Sequence, residues 1–579
     1  MITPFNPSVI ARAIEVVRRS EADTTLLALL SPPGRGRRPT YNTTAFLVGS
    51  ILAVQWKGSL VIRDIHRVLT ERLPVDIQRE LAVRRIDEEG DERLITEKDL
   101  YALTEALGKY LEYGYKSAPK LDEDPEVDAE KRQQRHDQLL ELMHSLLGVT
   151  LPESPSTSRA IDGTGIWSWG RAPRSAPKDM LQRDAAGEPV HPEARTEPKH
   201  SMAIGDSAAN DADTADEEDN TEANNDSRRG PHDPDAAYGV KTRKDGERET
   251  YYGYELHALV RAPDHPDQEG FIPLFETFEL TPAGQDIVAP SLGLIDRSRA
   301  MGHTITDLLA DRHYSYKTED RWYFKLLERG IRQHVDLHPN DQGFRDYNGM
   351  KLAAGWMHCP CTPDRLGRID RPPPTADEAA KDAFSDLIDE RQPYAMRRVQ
   401  RLGLDNGARW ECPALDGRIG CPLREGTVEV AQLNGLPVIV EPPDLATAPP
   451  CCTQRTVTTG RDAQSKIEQE HYWGSRKWTQ RYKARTYVEG AFGNMKNPTT
   501  ENVERGFFRL TGLAKANFMI GIALIAHNLR MLRGNTPLFE AGEGDVLLQQ
   551  DAECHGFMFV TPEEEAMILE IRASAAPAA

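Results

Sequence analysis

Four residues in the string RYKARTYVEGAFGNMKN hold the chemistry most legible in this chain: Tyr482, Arg485, Glu489 and Lys496. They stand at offsets of 0, 3, 7 and 14. At about 100° per residue these fall at roughly 0°, 300°, 340° and 320° around a helix, an arc of about 60°. One carboxylate among two cations and a phenol suits a metal ion held beside a phosphate. Glu489 would ligate the metal, and Arg485 and Lys496 would face the anion. The same spacing fits an exposed, salt-bridged helix surface, so the decision rests on the rest of the chain.

A metal site of this kind needs further carboxylates from other elements. SRAIDGTGIWSW reads as a short apolar strand carrying Asp162, and ITDLLADRHYS as a strand ending at Asp311. An Asp beside Gly also fits an ordinary turn. Between them, DPDAAYGVKT, TYYGYELHALVRA and FIPLFETFELTPA alternate as neighbouring antiparallel strands, and VAPSLGLIDRSRAMG reads as a crossover helix. After Asp311 come a helix, TEDRWYFKLLERG, and a strand, RQHVDLH. Strand with Asp, two strands, helix, strand with Asp, helix, strand is the order of an α/β, ribonuclease-H-like catalytic domain, with Glu489 on a later helix beside the sheet. Asp233 and Asp235 flank a Pro and read as turn formers. His313 reads as an exposed loop residue. All three stay outside the catalytic set.

The Tyr482, Arg485, Glu489, Lys496 spacing resembles the Tyr-Arg-Glu-Lys signature of DDE transposases of bacterial insertion sequences. The strings AIDGTGI, DPDA, YYGYELH, LTPA, ADRHYS and the Glu489 helix, followed by IALIAHNLRML, extend the resemblance over roughly Ser158 to Leu532, apart from two insertions. It implies a catalytic set of Asp162, Asp311 and Glu489 holding two Mg2+ (or Mn2+) ions. Asp162 would bridge the pair while Asp311 and Glu489 each serve mainly one ion, for phosphodiester cleavage and strand transfer. Tyr482, Arg485 and Lys496 would bind DNA. The partners implied are double-stranded DNA, as terminal inverted repeats and target, and a second copy of the chain when DNA is bound. Trp473 and Trp478 could stack on a flipped base, with core packing the default role for either. A catalytically inactive, transposase-derived DNA-binding regulator is the alternative of a different class, and a structure-specific nuclease is a further enzymatic one.

Bulk properties set the limits. The chain has 579 residues and a formal net charge of -20, which excludes uniform coating by DNA but not a local basic surface. Between Arg476 and Arg533 there are 11 Lys or Arg against three acids. No run reaches the roughly 18 uninterrupted apolar residues of a membrane span, and the N-terminus carries no signal-peptide pattern. A cytoplasmic, nucleoid-associated protein without a membrane partner is expected.

The layout expected is a helical, DNA-end-binding domain over residues 1–150, followed by the first part of the catalytic domain over 158–340. A disordered acidic insertion interrupts that part at 171–232. A cysteine-rich insertion at 341–465, the completion of the catalytic domain at 466–535 and an acidic tail at 536–579 follow. In the first region, Arg35, Arg37 and Arg38 form a basic loop, and SLVIRDIHRVLTERLP could supply a helix-turn-helix. Six cysteines, Cys359, Cys361, Cys412, Cys421, Cys451 and Cys452, fall in the second insertion. Thiolates suit structural zinc, but none of the spacings is the usual knuckle, so zinc and reduced, unligated thiols both remain open.

Overall fold

The computed structural model describes residues 5–32, 41–86, 90–172, 232–242, 248–265, 268, 270–373, 375–463 and 465–533. The arginine loop at 35–38, most of the acidic insertion and the C-terminal tail lie outside the described residues.

The N-terminal region folds as helices α1 (Pro7–Ser20), α2 (Ala22–Leu30), α3 (Thr43–Lys57), α4 (Ile62–Arg67), α5 (Val75–Glu80), α6 (Glu97–Tyr110) and α7 (Pro125–Val149). A small hairpin, β1 (Arg84–Ile86) and β2 (Glu92–Leu94), precedes α6. Local chemistry sets the starts: the side chains of Asn6, Asn42, Thr96 and Asp124 each accept a free N–H of the following first turn. Gly58, with φ of 57°, ends α3. The chain then bends by 99° into α4, which continues as a wider turn to Arg72. Among the described residues no single helix is long and apolar enough to cross a membrane.

The central sheet has the order β4-β5-β3-β7-β8, with β6 also paired to β5. Its strands are β3 (Ser158–Trp167), β4 (Ala237–Thr242), β5 (Arg248–Ala262), β6 (Phe275–Pro282), β7 (Asp307–Ala310) and β8 (Arg332–Val335). β4 and β6 pair antiparallel with successive halves of β5, β5 pairs antiparallel with β3, and β7 and β8 add in parallel. The crossover helix α8 (Val288–Ala300) joins β6 to β7, and α9 (Tyr323–Glu328) joins β7 to β8. The latter is shorter than TEDRWYFKLLERG implied, because Thr318 to Trp322 wind as turns and bury the Trp322 ring against Tyr314.

Alternation along the central strands divides the core. Ala160, Ile166, Ala258 and Val260 belong to one cluster, while Ile161 and Leu259 belong to another with Leu294, Ile295 and Trp322. The first cluster also contains the apolar faces of α1, α2, α3, α6 and α7. A boundary at residue 150 therefore falls inside a continuous core.

The second insertion builds two small antiparallel sheets. β9 (Arg345–Tyr347), β10 (Met350–Ala353) and β11 (Trp356–His358) form one; β12 (Arg397–Gln400), β13 (Ala408–Glu411) and β14 (Thr456–Thr459) form the other. Between them lie α10 (Glu378–Arg391), α11 (Thr427–Leu433) and α12 (Pro450–Thr453). The chain then returns through α13 (Arg476–Lys483), α14 (Thr486–Lys496) and α15 (Leu513–Leu532), the last almost wholly buried.

Glu501 anchors α15 by accepting from His527 Nδ1 at 2.8 Å and Arg530 Nε at 2.5 Å. Burial opposes its charge, but His527 and Arg530 outweigh it and pull the carboxyl down to about 2 from 4.5. A depressed carboxylate stabilises the fold fully above its unfolded-chain value and loses that contribution as pH falls through the folded one. The variant Glu501→Gln is therefore expected to be less stable than wild type at pH 7, with the gap closing between pH 4.5 and about 2. Urea unfolding across that range measures it, and a gap independent of pH would refute it.

Candidate active site

The four signature residues do not share one continuous helix. Ala484 and Arg485 form a turn between α13 and α14, so Tyr482 ends the first helix while Glu489 and Lys496 belong to the second. Tertiary contacts account for the break. The buried Arg481 donates to Pro263 O at 2.8 Å and to Ser158 Oγ, pinning α13 to the start of β3. Trp478 and Tyr482 stack at 4.8 Å, and Arg371 lies over both rings. α14 then crosses the face of β3 and β5.

Three carboxylates, Glu489 on this helix and two on or beside the strands, act on one another here. Asp162 lies on β3, where Ile161 pairs with Ala310, and Asp311 is the next residue of that neighbouring chain. Asp162 Oδ1 accepts from Gly163 N at 2.8 Å, and Asp311 Oδ1 accepts from His313 N at 2.6 Å. Glu489 Oε1 accepts from Arg485 Nη2 at 2.6 Å, while Arg485 Nη1 stands 3.7 Å from Asp162 Oδ2. Burial and the charge of Asp311 push the Asp162 carboxyl up to about 7; Arg485 and the Gly163 amide oppose this, and Glu489 adds to it. Arg485 is held firmly charged against its burial by Tyr482, Glu489 and Asp162.

Lys496 reaches inward. Its Nζ donates to Thr164 Oγ1 at 2.6 Å and to Gly165 O at 2.7 Å, tying α14 to β3. Burial and the charge of Lys241 push its pKa down to about 8. Of the expected DNA contacts, Tyr482 is packed in the ring stack and Lys496 is engaged by the strand.

The glycines after Asp162 do not make a turn. A Cβ on Gly163 would stand 2.8 Å from Glu255 Oε1, and one on Gly165 would stand 2.6 Å from the Tyr251 ring. The strand stays extended, and its missing side chains make room for β5. Glu255 went unweighed in the sequence. Its carboxyl is pushed up by burial and by the charge of Asp311, with the Gly284 amide and Lys317 opposing. An acid within the otherwise apolar run YYGYELHALV was the available signal.

Trp473 and Trp478 are buried and unavailable to a flipped base. Their indole N–H groups donate to Asp336 Oδ1 and Gln469 Oε1, both at 2.9 Å, within the core that joins the insertion to α13. Asp233 and Asp235 do form a turn, but a buried one. Asp233 accepts from Ser168, Tyr254 and Gly512, and Asp235 from Lys116 and Ser117. His313 is exposed, with its ring 5.8 Å from Tyr316. The six cysteines converge on one pocket of the insertion.

As the described side chains stand, no three His, Cys, Asp or Glu residues form a ready-made metal cage. At the carboxylate site Glu489 is turned toward Arg485. The donor set nevertheless fits a hard divalent cation, since it is all carboxylate and mutual repulsion already drives the Asp162 carboxyl toward protonation.

Residues 449–533 match the family model described as a transposase DDE domain. The matched stretch contains Glu489 and precedes no part of the aspartate strands, which lie upstream. It supports a DDE transposase, an enzyme class whose partner is DNA. No curated protein and no solved structure matches the chain.

Proposed function

We propose that this chain is an insertion-sequence transposase of the Tyr-Arg-Glu-Lys group, binding the terminal inverted repeats of its element, cutting at the ends and joining them to a target. The observation that carries this reading is that Arg485 reaches both Glu489 at 2.6 Å and Asp162 at 3.7 Å, beside the strand end that precedes Asp311, so that segments more than a hundred positions apart meet at one site. The strand order, three antiparallel strands followed by two parallel ones on the other side of β3, supports a ribonuclease-H-like domain.

Asp162, Asp311 and Glu489 would hold the metal ions. Divalent Mg2+ or Mn2+ held there would supply activation of a water or DNA 3′-hydroxyl and stabilisation of the leaving oxygen. Arg485 aligns Glu489 with Asp162 and offsets their charge. Lys496 fixes α14 to the strand that carries Asp162. End recognition is assigned to the N-terminal helices, whose bend between α3 and α4 and following α5 give a helix-turn-helix-like path. Two copies of the chain would pair the two ends.

The test is a linear DNA carrying the element's own ends, incubated with the protein with and without magnesium. Cleavage at the ends that requires the metal is expected. Specific binding without cleavage at any divalent metal concentration would replace this reading by a DNA-binding regulator.

A further inference from the structure

The six cysteines come from three separate stretches of the insertion, between Cys359 and Cys452, yet all six line one pocket. Cys359, Cys412, Cys421 and Cys451 are buried, while Cys361 and Cys452 are half-buried at its rim. Cys359, Cys412 and Cys421 form a cluster with Ala414, Ile419 and Ile439, with Cys361 packed against it. The Sγ atoms of Cys451 and Cys452 lie 4.0 Å apart. None of the six is in a disulfide.

We infer that this pocket is a zinc centre that cross-links the Cys-Pro-Cys turn after β11, the segment after β13 and the α12 turn. Three arguments carry it. First, convergence: residues some 90 positions apart do not bring six thiols together for packing alone, since buried cysteine behaves as a small hydrophobe with no preference for its own kind. Second, distance: thiolates at 2.3 Å from a tetrahedral zinc lie about 3.8 Å from one another. The Cys451–Cys452 separation is within a few tenths of an ångström of that. Third, charge: Arg424 lines the pocket beside the thiols. Arg424 Nε is buried there without a hydrogen-bond partner, while its Nη2 donates to Cys451 O and Gln454 O.

The thiols of Cys451 and Cys452 now stand as a neighbouring pair, and Cys359 and Cys361 flank the single residue Pro360. Rotation of the thiols within the pocket would close one tetrahedron. Soft thiolates select zinc over the magnesium suited to Asp162, Asp311 and Glu489, so the two sites are chemically separate.

The experiment is elemental analysis of the full chain, purified with reductant and without chelator, together with Co2+ exchange. One zinc per chain means four thiolates; two zincs mean all six, with two shared. Either supports the centre, as does a thiolate-to-cobalt charge-transfer band. The zinc content should be unchanged in Glu489→Gln, which separates this site from the carboxylates, and halved or lost in Cys412→Ser. Should Cys412→Ser fail to fold, the wild-type zinc content and the cobalt spectrum still decide. A folded, active wild-type chain with no bound zinc, no cobalt band and six freely titrating thiols would overturn the inference.

Discussion

Glu489→Gln is expected to bind the element's ends as wild type does and to cut them at least about 10³-fold more slowly, because losing one ligand of a two-metal site removes several kcal/mol of transition-state stabilisation. The change keeps shape and removes charge. Glu489 is also the more exposed of the two carboxylates bearing on Arg485, with 48 % of its side chain accessible against 22 % for Asp162. Arg485 keeps Asp162 at 3.7 Å as a counter-charge in the variant, so the fold should survive. Single-turnover cleavage, with end binding measured in parallel by gel shift, reads the two effects apart. Equal cleavage by the variant would show that Glu489 only holds Arg485 in place.

The second large effect concerns stability. Glu276 on β6 is fully buried and accepts from Arg159 Nε on β3 at 2.8 Å, from Arg261 Nε on β5 at 2.9 Å and from Ser298 on α8. Burial opposes its charge, yet Arg159, with help from His303 and the Ser298 hydroxyl, holds the carboxyl below its usual range. Glu276→Gln leaves two buried guanidiniums without their counter-charge. The expected cost is about 3–5 kcal/mol, the usual penalty for removing one partner of a buried ionic network. Urea unfolding measures it, and a loss under 1 kcal/mol would mean that water reaches the site. Arg159 lies three residues before Asp162 on the same strand, so partial rescue by osmolyte should restore cleavage together with folding.

Much of the central sheet was legible because its signals are local. Alternation in TYYGYELHALVRA follows from side chains facing two different apolar clusters, while the apolar side chains of FETFELTP join the first of them. Asp162 and Asp311 could be placed on strands because short apolar runs lead into them. The helix signature was legible as spacing only. Spacing assumes a continuous helix, and nothing in RYKARTYVEG marks the turn at Ala484 and Arg485. That turn follows from Arg481 reaching Pro263 and Ser158, more than two hundred residues upstream.

The same limit explains the tryptophans. Trp473 and Trp478 sit beside a basic signature, where exposure and burial read alike; the insertion's α10 and its neighbours bury them. For the glycines after Asp162, local chemistry pointed to a turn, while the facing side chains of Glu255 and Tyr251 explain an extended strand.

By itself the sequence marked Asp162, Asp311 and Glu489 as candidates and determined most of the strand and helix order around them, because those rest on residue type and short-range periodicity. Only the tertiary structure decided that Arg485 bridges Glu489 and Asp162, that Lys496 turns inward and that six thiols meet in one pocket. Each of those depends on contacts between segments far apart in the chain, whose geometry is set when the sheet and helices bury a common core.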